Sequence, residues 1–168
     1  MAAQNYSRIA TLLFCAAISL AVWSWGANGE FGACVKGSMS DQLQKTIAVL
    51  DGTIDLGIKL STSLVGAGAA LLVGITASVK LTRWVRVLIL VAVLFFGQSA
   101  GAAVFWKLRV ANSWLNECLN LVSEQILQRL FLTSYAFFFL GLATSLLMVC
   151  FAAYAWEGAG NVGPERTD

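Results

Sequence analysis

Asp51, Asp55 and Lys59 follow one another at four-residue steps, which on a helix gathers two carboxylates and an ammonium on one face. The acid-first order from Asp55 to Lys59 favours a pair between neighbouring turns. Asp51 beside Asp55 is repulsive, and that repulsion would draw a cation in between them. The triplet has two readings, a cation vestibule and a solvated helix face. Other chemistry is poorly supplied. The chain contains no His, which removes imidazole bases, Ser-His and Cys-His nucleophile pairs and His-ligated metals. The two aspartates have no third ligand nearby, and there is neither a P-loop nor a nucleophile elbow. Without a C-x-x-C, zinc, haem and iron–sulfur sites have no support. The sequence predicts no enzyme, no metal and no cofactor.

A second pattern concerns contact. Thr62, Gly66, Ala70, Gly74 and Ser78 recur every four residues, giving one helix face made of small side chains. Such a face lets another backbone come close, so that dispersion contacts accumulate where lipid supplies no hydrophobic driving force. Gly97 and Gly101 form a G-x-x-x-G further on. Two partners suit these faces: each other, within one chain, or a helix of a second subunit. Gln98 is the one amide in a long apolar run, and it needs either a Ser or Thr hydroxyl from the preceding helix or a wet cavity.

Elements able to hold these residues follow from composition. Of the 168 residues, 58% are hydrophobic and 12% charged, about half the charged share of a soluble domain. With a mean hydropathy of +0.76, the solvent is lipid, because so few charges cannot tile the surface of a small water-soluble globule. Four uncharged runs, 9–25, 60–79, 87–106 and 130–156, hold 17, 20, 20 and 27 residues, against the roughly 20 that cross hydrocarbon as a helix. They are apolar on every face, unlike the alternating strands of a barrel. The single proline, Pro164, leaves all four without a proline kink. The expected fold is an all-α membrane domain over 1–156 with four transmembrane helices. The first run, preceded by Arg8, also resembles a signal peptide, but Trp23 and Trp25 at its end give no good small-x-small cleavage site, which favours an uncleaved anchor.

Lys80, Arg83 and Arg86 crowd into seven residues between the second and third runs, marking a short cytoplasmic turn. Both termini then lie inside the cell, with 157–168 a disordered tail, and the plasma membrane is the expected location. The segments 26–59 and 107–129 lie outside. Leu43, Ile47, Leu50, Ile54 and Ile58 carry a helical apolar stripe, so 40–59 either continues straight into the second span or lies flat at the interface with a break at Gly57. Lys107 to Arg129 reads as a further amphipathic helix, with Trp114, Leu115, Cys118, Leu119, Val122 and Ile126 on one side. The two stripes would pack into an extracellular helical cap. Cys34 and Cys118 both fall in these outer segments, where a disulfide is expected. Cys15 and Cys150 sit inside spans as small hydrophobes. Trp23, Trp25, Trp84, Trp106 and Trp156 fall at span ends, suited to the lipid interface.

Function is bounded rather than fixed. A net charge of +2 gives no nucleic-acid footprint, and no charge lies deep in a span to carry a proton relay or voltage sensor. The expected partners are the bilayer and a second copy or another membrane protein. The leading expectation is an assembling or accessory membrane subunit. The alternative is a homo-oligomeric pore lined by Ser61, Thr62, Thr76 and Gln98, whose layout resembles that of large-pore channels.

Overall fold

The structure, a computed structural model, describes residues 2–28, 34, 41–78, 83–116, 118 and 125–160, with side chains from 9–28, 34, 41–42, 44–73, 84–116, 118 and 125–151. Four helices make up these residues: α1 (Ala2–Ala27), α2 (Asp41–Ser78), α3 (Arg83–Leu115) and α4 (Gln125–Gly160). Each contains a stretch long and apolar enough to cross a membrane, over Ile9–Ala27, Gln44–Val73, Trp84–Leu115 and Gln125–Phe151. A helix closes all its backbone hydrogen bonds within itself, which is the requirement lipid imposes. The hydroxyls obey the same rule. Thr53 donates to the Val49 carbonyl at 2.8 Å, Thr62 to Ile58 at 2.8 Å, and Thr144 to Leu140 at 2.8 Å.

Of the two courses open to 40–59, the helix takes the continuous one. α2 runs unbroken through Gly57 for 38 residues, or about 57 Å at 1.5 Å per residue. The segment 107–129 departs from its expected single helix. Its first part extends α3 to Leu115 and its last part begins α4. At the stop, the Asn112 carbonyl accepts both the Asn116 N–H at 3.2 Å and the Asn116 Nδ2 at 2.9 Å, and the Cys118 N–H reaches back to Ser113 O at 2.9 Å. The last of these satisfies a carbonyl that the next turn of a continuing helix would have used. Leu119, Val122 and residues 79–82, Lys80 among them, lie outside the described residues.

Contacts fix an up-down order. Ser61 faces Ser99, and Gly68 faces Val93, so α2 and α3 run antiparallel. Ser99 with Ser134 and Trp106 with Phe131 do the same for α3 and α4. Trp23 against Phe137 sets α1 antiparallel to α4. Helix α3 is central, flanked by α4 and α2; α1 rests on α4 and touches α3 only lightly, and among the described residues it does not meet α2. The arrangement is a splayed row more than a closed bundle.

Two apolar clusters hold it. One joins Ile54 of α2 to Ala103 and Trp106 of α3 and Leu127 and Leu130 of α4; Leu50 and Ile58 pack against it, so the stripe read from the sequence meets its partners here. Trp106, expected at the interface, is instead only 3% exposed and stacks edge-on with Phe131. The other cluster centres on the fully buried Phe137 with Val91 and Phe95. Aromatic pairs of this kind are worth about 0.5–1.5 kcal/mol each beyond their area. Outside lies a belt of exposed Phe14, Leu20, Val73, Leu94, Phe139 and Phe151, an apolar surface of the kind that suits lipid better than water.

Candidate functional site

Three helices meet at a cluster of buried hydroxyls. Ser61 donates to Ser99 Oγ at 3.3 Å, Ser99 to the Ser134 carbonyl at 2.8 Å, and Ser134 to the Ser99 carbonyl at 3.1 Å. The reciprocal Ser99–Ser134 pair clamps α3 to α4, because small side chains let the two backbones approach closely. Ser61 is fully buried within the chain, its hydroxyl turned to Ser99. Interhelical bonds in membranes average about 0.6 kcal/mol and reach about 2. Ser99→Ala removes two of the three bonds and is expected to lower stability by about 1–2 kcal/mol in detergent unfolding; an unchanged transition would show that the clamp contributes nothing.

The Asp51–Asp55 pair has found its cation within the chain. Lys107 of α3 places Nζ 3.0 Å from Asp51 and 2.5 Å from Asp55, while Lys59, the expected partner, stands exposed on α2 itself. The ammonium sits where the sequence placed a visiting ion, and it ties the upper part of α2 to α3. Nothing in the spacing of α2 pointed to a residue 52 positions away. Lys107→Gln leaves two carboxylates facing each other, so it is expected to lower the unfolding temperature. Adding Asp51→Asn and Asp55→Asn should recover part of that loss; no recovery would show that repulsion is not the cause.

Beside this lies the covalent link. Cys34 and Cys118 form a disulfide with Cα atoms 5.1 Å apart, as expected. Arg129 donates to the Asn28 carbonyl and lies over the Trp25 ring at 5.8 Å, fastening the end of α1 to the start of α4. Gly26 makes room, since a Cβ there would run into the Thr133 hydroxyl. Cys15 packs against the Phe137 cluster, and Cys150 is exposed.

The described part of the small-residue face is not covered by the chain's own helices. Thr62, Gly66 and Ala70 are exposed, and a Cβ on Gly66, Gly97 or Gly101 would meet nothing within 4 Å. Within the chain, α2 meets α3 through the opposite side, where a Cβ on Gly68 would come 2.5 Å from Val93 Cγ2. Among the described residues, Thr62, Gly66 and Ala70 thus take no part in the α2–α3 contact: at 100° per residue, Gly66 points about 160° away from Gly68. The side chains of Thr76 and Ser78, and position 74, lie outside the described residues.

Gln98 does not pair with a hydroxyl of α2, because Ser99 takes that direction. It looks instead into a groove of about 470 Å³ between α1 and α3, walled by Leu12, Cys15, Ser19 and Trp23 on one side and Val91 and Leu94 on the other. Its Oε1 is buried with no hydrogen-bond partner. Leaving such an acceptor unmet in an apolar setting costs about 1–3 kcal/mol. The sequence singled out Gln98 but missed Ser99 and Ser134, whose small polar side chains on facing helices were the available signal.

Among the described residues, the class this defines is an all-helical protein with four helices, each long and apolar enough to cross a membrane. No family model matches it, and neither curated proteins nor solved structures give a match.

Proposed function

We propose that the chain is an assembling subunit of a membrane complex, working by helix contact and not by covalent catalysis. The observation that carries this reading is the outward face of Thr62, Gly66 and Ala70, bare within the chain although its residues are of the kind that bring membrane helices together. On this reading α1 to α4 cross the plasma membrane with both termini cytoplasmic, and residues 79–82 form the short cytoplasmic turn. The upper parts of α2 and α3, the Lys107 bridge and the Cys34–Cys118 bond form an extracellular helical cap.

The test is the mass of the protein extracted from its own membrane in mild detergent. A mass above that of one chain is expected, falling to the monomer in Gly66→Leu. A monomer in the wild type would sink the proposal. Planar-bilayer recording separates the pore alternative: the purified subunit should pass no current, and a steady conductance would replace this reading.

A further inference from the structure

We infer that the partner is a second copy of this chain, with the Thr62–Gly66–Ala70 face of α2 in one copy seated in the α1–α3 groove of the next, where a hydroxyl meets Gln98. The inference rests on the assembly reading and goes beyond it by naming the partner and both surfaces.

Depth is the first support. Copies in one bilayer share an orientation, so they are related by rotation about the membrane normal, and only residues at equal depth can meet. Ser61 lies against Ser99 and Gly68 against Val93. With α2 and α3 antiparallel, one step down α2 matches one step down α3. Position 62 is then level with Gln98, Gly66 with Leu94, and Ala70 with position 90, just below Val91. The groove's α3 wall runs from Val91 to Gln98. The exposed small face therefore covers the depth of the vacant groove.

Chemistry is the second support. Gln98 lines the groove and its Oε1, enclosed in the single chain, has no hydrogen-bond partner; a turn of the amide about its soft terminal torsion presents that oxygen to the groove, where an acyl chain offers no donor and a phospholipid keeps its donors at the headgroup. A helix carries donors at any depth. Thr62 and its exposed neighbour Ser63 bring hydroxyls to the level of Gln98, and Thr62, now bonded to its own Ile58 and Lys59 carbonyls, needs only a change of rotamer to donate outward. Below them Gly66 and Ala70 allow α2 to settle between Leu12 and Leu94. Shape is the third support. Val93 faces α2, whereas Val91, Leu94 and Gln98 face the groove on roughly the other side of α3. Each copy thus offers a donor face and an acceptor groove on opposite flanks, a head-to-tail contact that builds a ring or a row.

Native Cys15 in the groove supplies the test. It packs in the cluster of Val91 and Phe95, so its depth is close to that of Ala70. In a Cys150→Ser background, Ala70→Cys is expected to give an oxidised product of twice the monomer mass on a non-reducing gel, lost on adding Cys15→Ser. A link within one chain would not change the mass. Gln98→Leu, which folds without an unmet amide, is expected to weaken association about threefold to thirtyfold, the range of one interhelical bond. If the protein assembles but no doubled band forms, or the band survives Cys15→Ser, this contact is wrong and the assembly reading stands. If Gln98→Leu associates like wild type, the hydroxyl–amide contact is overturned. A wild-type chain that never leaves the monomer overturns both.

Discussion

Cys118→Ser is expected to lower the unfolding free energy in detergent by about 2–3 kcal/mol, and reductant on the wild-type protein should do the same. The bond joins residues 84 apart, for which chain entropy alone would give roughly 4.5 kcal/mol. The smaller figure follows from the unfolded reference. Helices that stay threaded through a bilayer or micelle already keep their ends on fixed sides, so the loop being closed is shorter than its residue count. The Arg129 contact to Asn28 and the Lys107 bridge act in the same region, so removing the disulfide loosens a part of the molecule held by several ties. An unfolding transition that ignores reductant, while thiol titration reports two new free sulfhydryls, would show that the link constrains nothing.

The second large effect separates two glycines on one helix. Gly68→Leu is expected to destabilise the monomer by about 1–3 kcal/mol, the usual cost of overpacking. Its Cβ would stand 2.5 Å from Val93 Cγ2, and Val, branched at Cβ, cannot swing its methyl aside cheaply. A Cβ at Gly66 meets nothing within 4 Å in its own chain, so Gly66→Leu should leave the unfolding of the monomer, measured at a dilution where wild type and variant are both monomeric, within about 0.5 kcal/mol of wild type, while reducing association at higher concentration. The pair is read by unfolding and by mass in the same detergent. Equal losses of stability in both would place the two positions in the same kind of contact and remove the distinction between inner and outer faces of α2.

The spans and the continuous stripe over Ile47, Leu50, Ile54 and Ile58 were legible because they depend on hydropathy and period, properties local to a segment. So was the Cys34–Cys118 bond, which needs only that both thiols share a side. What escaped were choices of partner. The period-four spacing marks a face, but its direction depends on which side of α2 the rest of the chain occupies. A single-residue offset decides whether Ser61 or Thr62 turns inward. Gln98 and Ser99 pose the same problem: adjacent on α3, they differ by 100° and so fall to different neighbours. Lys107 was counted as a boundary charge, yet its long stem carries the ammonium back to Asp51 and Asp55. Trp106 looked like an interface anchor because it ended an uncharged run, but α4 covers it.

Helix α1 leans on α4, through Trp23 on Phe137 and Asn28 on Arg129, a contact spanning 101 residues of sequence. During translation the N-terminal part emerges first, so α1 is made well before α4 and until then holds only its slighter contact with α3, Trp23 on Phe105. A ribosome stalled or a message truncated before codon 125 would leave the α4-facing side of α1 uncovered in the bilayer, a recognisable mark of an unfinished product for the cell's membrane proteases.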